Sequence, residues 1–151
     1  MQYKLIALLV LIVASGAFVF GYLRFLRQRL ALYKLVYDFL CEARERVGSE
    51  LVPLNRVFFD FCECEQVSRA LPKGDFSCEA KKYLLQEDGE LFFCLLSDAG
   101  VSLDLGLQRL SEAQVRFRER LSRMKEATEK TAKIAVTVYA GISLGAILLF
   151  I

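Results

Sequence analysis

Apolar and polar positions fall in blocks along this chain, and the two longest apolar blocks lie at its ends. Residues 5–23 contain no Asp, Glu, Lys or Arg, and neither do residues 134–151. A helix rises 1.5 Å per residue, so each block is about as long as a helix needs to cross the ~30 Å hydrocarbon layer of a bilayer. The pattern predicts one transmembrane helix over residues 4–23 and a second over residues 134–151. Every acidic residue lies between them, from Asp38 to Glu129, and residues 24–133 read as one polar domain.

Inside that domain the apolar positions follow helical periods. Leu26, Leu30, Tyr33, Tyr37, Leu40 and Val47 step along a heptad seam, which predicts a helix continuous with the first span and stopping at Gly48. Leu103, Leu107, Leu110, Gln114, Phe117, Leu121, Met124 and Thr128 form a second seam that opens after Ser102, a suitable N-cap. No proline follows Pro72, so this helix too can enter its span unbroken, with Gly106 weakening it locally by about 1 kcal/mol. Three shorter helices are expected between the long ones. The first runs from Pro53 to about Ala70 and ends before the turn Pro72–Asp75. The second covers Ser77–Gln86, with Phe76, Ala80, Tyr83 and Leu84 inward and Glu87-Asp88-Gly89 as its breaker. The third holds Leu91–Leu96 and stops at Gly100. The fold class is all-α: two terminal transmembrane helices enclosing a helical bundle, with long helices continuous with the spans.

Composition agrees with this map. Hydrophobic residues make up 55% of the 151 and the mean hydropathy is +0.36, although 25% are charged. The apolar excess is therefore concentrated at the ends. Charge then orients the chain. Arg24, Arg27, Arg29 and Lys34 follow the first span, and Lys125, Lys130 and Lys133 precede the second. Basic residues beside a span mark the cytoplasmic side, so the simplest topology is a hairpin with residues 24–133 in the cytoplasm and both termini outside. The alternative is a signal peptide cleaved near Ser15-Gly16-Ala17, leaving a tail-anchored extracytoplasmic domain. Against it, hydrophobicity continues through Phe18, Val19, Phe20, Tyr22 and Leu23, and five cysteines are an odd number for a disulfide framework. Within the spans, Ala17 and Gly21, and Gly141 and Gly145, set small residues four apart, a spacing that lets helix backbones approach within a chain or between copies.

Candidate chemistry narrows quickly. There is no histidine, which removes His-based acid–base and triad chemistry and most mixed zinc sites. No phosphate-cradling glycine loop occurs, so no catalytic, cofactor-binding or metal-binding residue is assigned. Cys62 and Cys64 would project about 200° apart on a helix. Cys64 continues the inward stripe Leu54, Val57, Phe61, and a reduced buried thiol packs as a small hydrophobe. A membrane-anchored redox or metal sensor using this pair is the rival reading. Asp60, Glu63 and Glu65 read as a solvated face. Residues 35–108 hold 7 basic and 14 acidic side chains, whereas residues 109–133 hold 8 basic and 4 acidic. On the last helix Arg109, Arg116, Arg120 and Arg123 share one face, with Arg118 and Lys125 beside them. Such a stripe suits an acidic partner, the acidic middle of its own domain or anionic lipid. Nucleic acid is not expected, since no aromatic interleaving accompanies it.

Three local patterns resemble one family. Leu40-Cys41-Glu42-Ala43 through Gly48 with Pro53-Leu54, then Gly100, Asp104 and Gln108, then Glu129-Lys130 and Lys133 before a glycine-containing terminal span are similar to the stage III sporulation protein AB family. The chain is shorter than that pattern between Pro72 and Gly89, and its last helix is rich in arginine where the family's is acidic. The resemblance implies a subunit of a secretion-like channel complex in the mother-cell membrane facing the forespore. It is similar to the inner-membrane platforms of type II secretion and type IV pilus systems, which link a cytoplasmic ATPase to membrane components. The expectation is a non-enzymatic platform docking a secretion-type ATPase and other channel subunits, with self-association into a homo-oligomer left open. Arg116, Arg120 and Arg123 would meet an acidic partner, and Ala17, Gly21, Gly141 and Gly145 would serve span packing.

Overall fold

The computed structural model describes residues 2–64, 67, 76–97 and 102–150, and these contain helices and no strand. Helix α1 is Gln2–Ser49, α2 Leu54–Cys62, α3 Phe76–Tyr83, α4 Gln86–Ser97 and α5 Leu103–Phe150. The chain divides into two compact units: Met1–Arg27 with Met124–Ile151, and Gln28–Arg123.

The length of α1 and α5, 48 residues each, follows from the absence of proline before Pro53 and after Pro72. At the end of α1 the Ser49 hydroxyl donates to the Glu45 carbonyl at 2.7 Å and the Glu50 amide to the Arg46 carbonyl at 3.0 Å, satisfying carbonyls that would otherwise lack partners. Reversal of the chain is made by Leu51 at φ 55°, a left-handed conformation, and not by Gly48, one residue before the observed helix end. Pro53 then occupies the N-cap of α2 rather than its first turn, and its carbonyl accepts from the Arg56 and Val57 amides.

Unit 28–123 owns the core. Leu32, Tyr33, Val36, Phe39, Leu40 and Ala43 of α1 are buried, as are Leu110, Ala113 and Phe117 of α5. The buried surface of α1 is therefore wider than the single predicted seam. Leu32, Val36, Phe39 and Ala43 form a second stripe, because α1 is covered by the short helices as well as by α5. An aromatic cluster joins the elements. Phe39 of α1 meets Phe61 of α2 at 5.3 Å and Phe92 of α4 at 5.7 Å, and Phe76 of α3 meets Phe58 at 5.7 Å and Phe92 at 5.9 Å. Most of these pairs are edge-on or tilted, the arrangement the ring quadrupole favours, each adding about 0.5–1.5 kcal/mol beyond area burial. Phe76, Ala80, Tyr83 and Leu84 face inward as the spacing predicted.

Further expectations are corrected. Helix α2 ends at Cys62 instead of near Ala70: its last turn tightens as the Cys64 amide bonds the Phe61 carbonyl at 3.0 Å, which swings Cys64 off the inward stripe and into solvent. Residues 68–70, the Pro72–Asp75 turn and the stop at Gly100 lie outside the described residues. Glu87-Asp88-Gly89 is not a breaker but the first turn of α4, with the Gly89 amide bonded to the Leu85 carbonyl at 2.8 Å. The interruption falls at Leu84-Leu85. Two acids opening a helix complement the positive end of its dipole, and that is a start signal.

In the other unit, α1 and α5 are the two helices long and apolar enough to cross a membrane, and no residue of the most apolar 18-residue window of either is buried. Ile6, Leu9, Val10, Val13, Phe18 and Phe20 of α1 are exposed, as are Ile134, Val136, Ile142, Leu144 and Leu148 of α5. The close approach within this unit is at Gly16. A methyl group there would lie 3.0 Å from the Tyr139 hydroxyl and 3.3 Å from the ring carbon that bears it. That hydroxyl lies 3.5 Å from the Ile12 carbonyl, to which the Ser15 hydroxyl also donates.

Candidate functional site

The basic face of α5 meets the polar unit's own carboxylates. Asp88, in the first turn of α4, has no solvent exposure. A buried carboxylate is costly unless paired and hydrogen-bonded, and both conditions are met. Tyr33 of α1 donates from its hydroxyl to Oδ2 at 2.8 Å. Arg116 of α5 donates from Nε to Oδ1 at 3.2 Å, and its Nη2 lies 3.4 Å from Glu87. One turn along, Arg120 sets Nε 3.6 Å from Asp88 Oδ2 and Nη2 3.6 Å from Glu87. The same Tyr33 oxygen accepts the Leu85 amide at 3.1 Å, so it caps the break between α3 and α4. One tyrosine, one aspartate and two arginines thereby tie three helices at a single point. Burial pushes the Tyr33 phenol above its ordinary value; the Leu85 amide opposes this and Asp88 adds to it.

The remaining predicted residues are placed differently. Arg123 is exposed and its contact is to Glu119 on its own helix at 3.7 Å. Arg109 and Arg116 line a groove of about 760 Å³ between α4 and α5, with Glu87, Glu90, Cys94 and Glu112. The spacing that put Arg116, Arg120 and Arg123 on one face is real, but two of the three turn their heads to Asp88 and Glu87. At the small-residue positions, a methyl group at Gly21, Gly141 or Gly145 would meet nothing within 4 Å, and Ala17 is exposed.

Cys62 is half-buried and Cys64 exposed, so the two thiols do not share one environment. Among the described residues no three His, Cys, Asp or Glu side chains are grouped to hold a metal ion. Cys41 accepts the Gln114 side-chain amide at 3.0 Å, tying α1 to α5, while Cys78 and Cys94 are exposed.

The heptad spacing puts Tyr33 on the core seam but gives its hydroxyl no partner, and the run Glu87-Asp88-Gly89 reads as a breaker. The available signal was Asp88 in a first helical turn, beside an arginine row with more positive charge than its own helix neutralises. Comparison with protein-family models, with curated proteins and with solved structures finds no match for this chain.

Proposed function

We propose that this protein is a non-enzymatic membrane platform subunit. Its two apolar segments span the bilayer, and its helical unit faces the cytoplasm and docks a secretion-type ATPase. The observation that carries the reading is the pair of bare apolar helix ends on 48-residue helices whose other halves build a packed polar unit. Large exposed apolar surfaces of this kind are not left to water, and a bilayer is the solvent that suits them. The basic residues flanking each apolar segment favour the polar unit on the cytoplasmic side. On the resemblance to the stage III sporulation protein AB family, the assembly is the secretion-like channel between mother cell and forespore, and the membrane is that of the mother cell.

In this reading the docking surface centres on Arg123, with the outward edges of Arg116 and Arg120, whose side chains keep 39% and 34% of their exposure. The test is co-purification of the full chain with the secretion-type ATPase of the same cell. Reversing Arg116 or Arg120 would set a new carboxylate against buried Asp88, so the informative variant is Arg123→Glu, whose partner Glu119 is on the surface. Reversal of a rim charge is expected to weaken capture roughly fivefold at low salt. Capture equal to that of the unaltered chain would remove this surface from the account.

A further inference from the structure

Arg46, Arg116, Arg120 and Arg123 each lie within ion-pair distance of a carboxylate. Arg24, Arg27, Lys130 and Lys133 are exposed and form no ion pair with any described residue. All four belong to the unit that carries the apolar segments, and they are placed symmetrically about them. Arg24 and Arg27 stand one and four residues after Leu23, and Lys133 and Lys130 stand one and four residues before Ile134. Both helices are continuous here, so at 1.5 Å per residue each pair lies about 1.5–6 Å beyond the end of its apolar segment. Residues three apart on a helix share a face, so each pair presents two cations together. Glu129, also exposed, is the one acid in that layer. Glu126 and Lys125 stand about 12–14 Å out, beyond the ~10 Å screening length of ordinary salt.

We infer that Arg24, Arg27, Lys130 and Lys133 form a collar that binds the phosphate headgroups of anionic phospholipids in the leaflet next to the polar unit. The inference rests on the apolar segments spanning a membrane, and it adds a lipid selectivity to that reading. The layer carries four exposed cations against one exposed acid, and its height is that of the phosphates, where a basic side chain is attracted to anionic lipid.

The experiment reconstitutes the full chain in phosphatidylcholine vesicles and measures, by electron spin resonance, how strongly spin-labelled phosphatidylglycerol and phosphatidylcholine associate with it. Resistance to carbonate extraction from pure phosphatidylcholine tests the spans alone, and extraction there would overturn the spanning reading itself. Given retention, a roughly threefold preference for phosphatidylglycerol is expected at low salt, falling toward parity at 1 M salt, where the screening length is about 3 Å. The variant R24Q/R27Q/K130Q/K133Q should stay in the vesicles and lose the preference. Retention with no preference, or a preference unchanged by the four substitutions, would overturn the collar and leave the spans standing.

Discussion

Replacing Asp88 is the most searching perturbation of the polar unit, because that side chain holds three helices at one point. In Asp88→Ala the Tyr33 hydroxyl loses an acceptor at 2.8 Å and Arg116 loses one at 3.2 Å. A hydrogen bond to a buried charged group contributes about 1.5–3 kcal/mol, and breaking a buried ion pair costs about 3–5 kcal/mol. The arginines are about one-third exposed, so solvent screening discounts their share to below about 1 kcal/mol each. The expected loss is about 3 kcal/mol for Asp88→Ala and about 2 kcal/mol for Asp88→Asn, which keeps the volume and an acceptor for Tyr33. Glu87 is the internal control: it touches the same arginines but is mostly exposed, so Glu87→Gln should cost less than about 0.5 kcal/mol. The assay is urea unfolding of the full chain in micelles followed by circular dichroism, in which the polar unit gives the cooperative change. A cycle of Asp88→Asn with Arg116→Gln should return about 1 kcal/mol of coupling. If Asp88→Asn costs no more than Glu87→Gln, the clasp does not hold the helices together and the reasoning fails.

Phe92 is fully buried against Phe39, Phe58, Phe76 and Phe93, so Phe92→Ala should lose about 3–5 kcal/mol in the same titration. Phe59, mostly exposed, should tolerate alanine within about 0.5 kcal/mol. The raised Tyr33 pKa stabilises the fold fully below the unfolded value near 10.0, and that contribution disappears as pH rises through the folded value. Stability measured from neutral to strongly alkaline pH should therefore fall less steeply in Tyr33→Phe than in the unaltered chain, and equal slopes would remove Tyr33 as the cause. Gly16→Val should lower the melting temperature in micelles by crowding Tyr139, whereas Gly141→Ala and Gly145→Ala, which meet nothing, should not; the reverse ranking would show that the small-residue pairs carry the packing.

The helical periods were legible because burial enforces them: Tyr33, Leu40, Leu110 and Phe117 are core where their spacing put them. The second stripe of α1, at Leu32, Val36, Phe39 and Ala43, was harder to read because a helix covered on two sides has no clean polar face to contrast with. The spacing alone carries the inward stripe on to Cys64, because nothing in it marks the helix end at Cys62. Asp88 is ambiguous in the sequence because an acid beside a glycine signals a break as readily as a start. The arginine row could be seen on α5, but its partners come from α4, and only the folded chain brings Glu87 and Asp88 to it. In the apolar segments the small-residue spacing points to Gly141 and Gly145, while the close contact is made by Gly16 with an aromatic side chain.

The cysteines allow the proposed placement of the polar unit, in the cytoplasm between two spans, to be tested directly. All five lie between residues 41 and 94, and Cys64, Cys78 and Cys94 are exposed, so protection from reagent cannot be ascribed to burial at those positions. Cells expressing the full chain are treated with a membrane-impermeant maleimide before and after permeabilisation. No labelling of intact cells is expected, and strong labelling at these three thiols once the membrane is opened. Strong labelling of intact cells would put the polar unit outside and contradict the account.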